Sequence, residues 1–169
     1  IKIERFMTDY DLKLQQLQKE FIEINTKRAN KWQFTPDQKA IYDFVIKSQR
    51  YTTFNIAGYD IILKVGNEDF GFKHFLLKHY GTGCVGEIKA NDILKLGNVI
   101  KHNISVPAKE DKIKFIQTKG DLKYSVVLKP QKDGKLVVSF FSSKEEIKII
   151  EQIEIINEII ISVEIETKL

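Results

Sequence analysis

The apolar residues change their period at Arg50, and that change restricts the chain to a fold with helices first and a sheet afterwards. From Thr8 to Ala29, Tyr10, Leu14, Leu17, Phe21 and Ile24 recur at alternating steps of four and three, the stripe of an amphipathic helix. The stripe is too short for a coiled coil to be favoured over packing within the same domain. Thr35-Pro36-Asp37-Gln38 then supplies an N-cap, a proline at the first helical position and a capping-box glutamine. The helix opened there would bury Ile41, Phe44 and Val45. Residues 1–50 hold no chemical motif and read as a scaffold or connector.

Past Arg50, short apolar runs alternate with turn residues. Tyr51 to Ile56 and Tyr59 to Val65 flank Ala57-Gly58, which predicts a hairpin. A helix is expected from Asn67 or Glu68 to about Tyr80, and a second, short one from Asn91 to Leu96, closed by Gly97. Three strands follow, Lys112 to Thr118, Lys123 to Lys129 and Lys135 to Ser142, with turn residues between them. They predict an antiparallel meander, so the class is α+β, with N-terminal helices plus helices packed on an antiparallel sheet. A capping box at Ser143-Lys144-Glu145-Glu146 predicts one more helix. Ile147, Ile150, Ile153, Ile156 and Ile160 continue it at helical spacing, while the β-branched stretch Ile159 to Thr167 suits a final strand equally well. The organisation is thus a helical segment 1–50, an α+β core 51–142 and an acidic extension 143–169.

With 169 residues and 43% apolar content, the chain can bury a core without staples. Its single cysteine, Cys84, excludes an internal disulfide framework and an all-cysteine zinc site, and is compatible with a reducing compartment such as the cytoplasm. No uncharged apolar run is long enough for a membrane span. The first residue is Ile1, so the chain is expected to be a piece of a longer polypeptide whose targeting signal would be lost with it. Net charge runs +3, +5 and −4 over the three segments. A basic middle fits a polyanionic partner, and an acidic extension beside it could compete with nucleic acid. All three arginines, Arg5, Arg28 and Arg50, precede the middle segment, so phosphate contacts there must come from lysine.

The richest stretch chemically is Gly71-Phe72-Lys73-His74-Phe75-Leu76-Leu77-Lys78-His79-Tyr80. On a helical wheel its apolar residues cover most of the circumference, and the remaining sector holds His74, Lys78 and Gly71. Phosphodiester cleavage needs a group that titrates near neutrality and a cation for charge growing on phosphorus oxygens; His74 and Lys78 offer both. A solvent-facing polar stripe carrying a chance histidine would show the same spacing. His79 stands about 140° from His74 on the wheel, so it is expected to join the same site only if the last turn unwinds. The pair lacks the spacing of a zinc-protease helix, and His102 is the only other histidine, so neither a metal nor another cofactor is expected.

Gly81-Thr82-Gly83-Cys84-Val85-Gly86 matches the letters of a dinucleotide fingerprint but follows a helix where that fold needs a strand. The glycines are expected to end the helix and form a loop able to cover a substrate. No histidine base marks Cys84 as a nucleophile. Ser139 lies inside the apolar run Lys135 to Ser143, where its hydroxyl must find a hydrogen-bond partner or a ligand; Tyr124 and Ser125 pose the same question.

Residues 59–142 resemble the barnase–EndoU–colicin–RelE-like nuclease superfamily, especially its phage- and toxin-associated branches. The likeness rests on a "GFKHFLLKH" helix with a central histidine, a short second helix through "DILKLGNVI" and a meander ending in "LVVSFFSS". It implies metal-independent cleavage of RNA, tRNA among the candidates, by attack of the ribose 2′-hydroxyl, in an effector domain delivered within a longer secreted or phage polypeptide and held by a cognate inhibitor. On that mapping His74 takes the histidine position, Lys78 supports phosphate charge and Ser139 matches a hydroxyl on a late strand. Substrate contacts fall to His79, Tyr80, Lys101, Lys123, Tyr124 and Phe141, with bases stacked on exposed aromatics such as Tyr80 or Phe141. Many members carry an arginine on the sheet; here either Lys101, Lys114 or Lys123 replaces it or the active site has decayed into a binding surface. The competing class is a non-catalytic nucleic-acid- or protein-binding module of a phage or effector assembly, with helices 8–48 meeting the partner.

Overall fold

The computed structural model describes residues 6–84, 86–144, 156 and 158–160, with the backbone alone at 141, 143 and 144. Helix α1, Asp9–Arg28, starts where the Thr8 and Asp11 side chains cap each other's backbone N–H groups, with two acidic residues in its first turn and two basic ones in its last. Helix α2, Pro36–Ile46, opens at the expected Thr35–Gln38 capping box. The stripe of α1 buries Leu17 and Phe21, and α2 buries Ile41, Phe44 and Val45. Each such side chain contributes about 1.5–3 kcal/mol by leaving water. These side chains share one continuous core with the strands and the later helices.

Strands β1, Tyr51–Ile56, and β2, Tyr59–Lys64, pair as the predicted hairpin, and Ala57 and Gly58 both take positive φ in its turn. Helix α3 spans Phe72–His79, later than expected. The delay comes from residues 66–71: Asn67 Oδ1 accepts from the backbone N–H of Asp69 and Phe70, forming a side-chain-closed turn. Gly71 enters the helix at φ +99°, packed against Gly66 Cα and the carbonyls of Lys64 and Val65, a backbone approach that leaves no room for a side chain.

In place of one short helix there are two, α4, Ala90–Leu94, and α5, Leu96–Lys101. Gly97 does not end a helix; it sits inside α5, where a Cβ would strike the Asp37 carboxylate and lie 2.6 Å from Ile56 Cδ1. A short edge strand, β3, Ser105–Pro107, has no counterpart in the expected layout. The meander is present as β4, Ile113–Lys119, β5, Leu122–Pro130, and β6, Leu136–Lys144. Strand order is β1-β2-β6-β5-β4-β3, antiparallel except where β2 runs parallel to β6 through Ile61↔Leu136 and Ile62↔Val137. The fold class is α+β. Ser143 and Lys144 belong to β6, Ser143 opposite Lys123, and the helix expected after them falls on residues 145–155, outside the described residues. Beyond Lys144 only Ile156 and 158–160 of the acidic extension are described, and these are helical.

On β6, Val138, Phe140 and Ser142 point toward the helices, as the edge-to-face contact of Phe75 with Phe140 shows. Val137 and Ser139 therefore point to the other face.

Candidate functional site at the end of helix α3

The polar groups of α3 are held from three directions. At its start, the turn that delays the helix delivers the Glu68 carbonyl to His74 Nδ1 at 2.6 Å. A carbonyl only accepts, so Nδ1 carries the hydrogen and Nε2 is left for other chemistry. At its end, Lys13 of α1 donates from Nζ to the carbonyls of Leu76, Leu77 and Tyr80 at 3.3, 3.0 and 2.8 Å. Those oxygens belong to the last turn and the C-cap, where only the Leu76 carbonyl also accepts from a backbone donor, Tyr80 N at 3.3 Å, and the ammonium also complements the helix dipole. Beyond α3 the chain folds back: Ile88 N donates to the His79 carbonyl at 2.8 Å. Gly81, Gly83 and Gly86 all take positive φ in the intervening loop. The loop is fastened to the sheet where Ser142 Oγ donates to the Glu87 carbonyl at 2.9 Å, and a Cβ on Gly86 would stand 3.0 Å from the Ser142 carbonyl.

His74 and His79 meet despite their wheel angle, with ring centroids 6.1 Å apart and planes at 78°. No unwinding is needed, because the wheel compares backbone directions and the imidazoles extend well past them. Both rings are half-buried, and Lys78 between them is exposed. The pKa of His79 lies below the ordinary imidazole value, first because of burial and then because His74, Lys78 and Lys13 disfavour another positive charge; a backbone hydrogen bond at Gly86 pulls the other way. The end of α3 therefore holds a neutral imidazole beside a second imidazole and an exposed ammonium. This set can take a proton, return one and stabilise an anion.

Other expected site residues fall elsewhere. Ser139 is buried on the sheet face turned away from α3, so it does not join His74; the residue one face over, Ser142, is the one that reaches the loop beside His79. Tyr80 is not an exposed stacking platform: it is 3% exposed, and burial first and Glu20 second raise its pKa. Lys101 is committed to an ion pair with the buried Asp37 at 3.0 Å. Lys123 and Lys114 lie on the face away from α3, where burial, and after it Lys123, lower the pKa of Lys114. Tyr124 does face the helices, half-buried, with its ring stacked on Phe140. Phe141 pairs with Ser125 along the ladder, and its side chain lies outside the described residues. Cys84 is exposed in the glycine loop.

Sequence reasoning missed Lys13 because its partners lie more than sixty residues away, and took Ser139 rather than Ser142 from the family resemblance without assigning a face to either. No local pattern announces the first, whereas the alternation of Val138, Phe140 and Ser142 carries the second. Among the described residues, no cluster of three or more histidine, cysteine or carboxylate side chains is placed to hold a metal ion. No described helix is long and apolar enough to cross a membrane. No protein-family model, curated protein or solved structure matches this chain.

Proposed function

We propose that the end of α3 is the acid–base centre of a metal-independent endoribonuclease of the barnase–EndoU–colicin–RelE-like kind, serving as an effector domain of a toxin or phage polypeptide. One observation carries the reading: two imidazoles 6.1 Å apart, one held below its usual pKa, beside the cation Lys78. In this scheme neutral His79 takes the proton of the ribose 2′-hydroxyl as that oxygen attacks phosphorus. His74 gives a proton from Nε2 to the departing 5′-oxygen, and Lys78 faces the charge that grows on the non-bridging oxygens. The products are a 2′,3′-cyclic phosphate and a free 5′-hydroxyl; water returns the two imidazoles to their starting protonation states. Ser139 has no part in this scheme.

Incubating the full chain with RNA in excess chelator tests the proposal. Cleavage that is lost in both His74→Ala and His79→Ala is the expected result. RNA left intact by the wild-type chain, while the chain still retains it in a binding assay, would move the assignment to the non-catalytic binding module.

A further inference from the structure

Between α4–α5 and the helix-facing side of β4–β6 lies a cleft of about 120 Å³, room for about four waters. That is far below the volume of pockets that enclose drug-sized ligands, so the cleft suits one flat ring system. Phe140 and the near-parallel Tyr124 ring, 6.2 Å away at 27°, contribute an aromatic wall. Around it stand the amides of Asn91, Asn98 and Gln117 and the imidazole of His102.

None of those three amides, nor the His102 imidazole, spends a side-chain hydrogen bond on another described residue, so their donors and acceptors are left for an occupant or for water. Asp92 adds a carboxylate, one oxygen of which already accepts from Lys89 N. The Lys119 ammonium sits 5.5 Å over the Tyr124 ring at the rim, whereas that of Lys95 is drawn off to the Trp32 ring at 4.9 Å.

Strand pairing and two hydrogen bonds link the cleft to the centre at α3. Tyr124 pairs with Ser142 on the ladder, Ser142 holds Glu87, and Gly86 bonds to His79. From this we infer that the cleft binds one nucleobase of the RNA strand whose phosphodiester lies at His74 and His79. The inference rests on the nuclease reading for its substrate class. A π-face to stack on and amides that both give and accept hydrogen bonds match the flat, mixed edge of a base. The Lys119 cation at the rim favours a nucleotide over a neutral sugar.

The test is a titration of the full chain with each of the four 5′-ribonucleotides, with ribose 5-phosphate and with a neutral hexose, following the side-chain amide resonances of Asn91, Asn98 and Gln117. At least one nucleotide should shift them saturably while ribose 5-phosphate and the hexose do not. Asn98→Ala and Gln117→Ala, each verified as folded, should weaken that nucleotide by about fivefold. Equal shifts with ribose 5-phosphate, preference for the hexose, silent amides with every nucleotide, or undiminished binding by both variants would each overturn the assignment. The two readings separate cleanly. Nucleotide binding here without RNA cleavage leaves the cleft standing and removes the nuclease, and cleavage without nucleotide binding here does the reverse.

Discussion

Between α2 and α5 a carboxylate is shut in beside a partly exposed lysine, whereas at the end of α3 the charged and titratable groups are left half open. In the first region Asp37, 3% exposed, accepts from Thr35 Oγ1 at 2.7 Å and from Lys101 Nζ at 3.0 Å, and Gly97 presses against it from α5. Both bonds fall on Oδ1, while the buried Oδ2 has no hydrogen-bond partner among the described residues and lies beside Gly97; the carboxylate serves to register two helices against each other. In the second region Lys13 spends its donors on backbone carbonyls and His74 spends only Nδ1. One nitrogen of His74, the half-buried ring of His79, itself bonded to the Gly86 backbone, and the exposed ammonium of Lys78 face partly outward. A buried carboxylate holds the fold, and half-exposed imidazoles beside an exposed ammonium are what chemistry can use.

The contrast is broken most forcefully at the open end. His79→Ala or His74→Ala should lower RNA cleavage by at least about a hundredfold while leaving the melting temperature within a degree or two, because neither ring is fully buried. A large drop in melting temperature would instead make the rings structural. Gly97→Ala does the opposite: its methyl meets Asp37 and Ile56, and about 3 kcal/mol of stability should be lost in denaturant unfolding. Lys101→Met strands the buried carboxylate. Because that lysine is partly exposed, water softens the loss to about 2 kcal/mol, again read from unfolding. Ser142→Ala removes the bond to the Glu87 carbonyl and should cost about 1 kcal/mol, and hydrogen exchange in residues 81–88 should quicken.

The smallest effect is the most diagnostic. Burial, with His74 and the two lysines, holds the folded-state pKa of His79 below 6.5, so between that value and 6.5 the unfolded chain binds the proton more readily. Stability from this group is complete above pH 6.5 and declines as pH falls through the lowered value. Lys13→Met takes away one of the opposing charges, so an NMR titration of His79 should show its midpoint rising toward 6.5. A midpoint unmoved by that substitution would separate α1 from the site.

What could be read before folding was local. The two N-terminal helices are visible because their capping residues and apolar stripes lie within a few positions of one another, and the hairpin because Ala57-Gly58 accepts positive φ. The fold class followed from that order of elements. Non-local facts were hidden: β2 pairs with β6 across more than seventy residues, and Gly97 looked like a helix stop because nothing nearby reveals the Asp37 carboxylate against it. His74 and Lys78 could be picked out as the polar sector of an apolar helix. His79 was set aside by an angle that ignores side-chain length, and Ser139 was chosen over Ser142 because a serine in an apolar strand does not reveal which face it occupies.

The most direct measurement uses two oligonucleotides of one sequence, one all-ribose and one all-2′-deoxy, incubated with the full chain in excess chelator, with the product ends identified by mass. Attack by a 2′-oxygen activated at His79 predicts that the ribose strand alone is cut and that its fragments end in 2′,3′-cyclic phosphate. Cleavage of the deoxy strand, or an untouched ribose strand, would contradict the account.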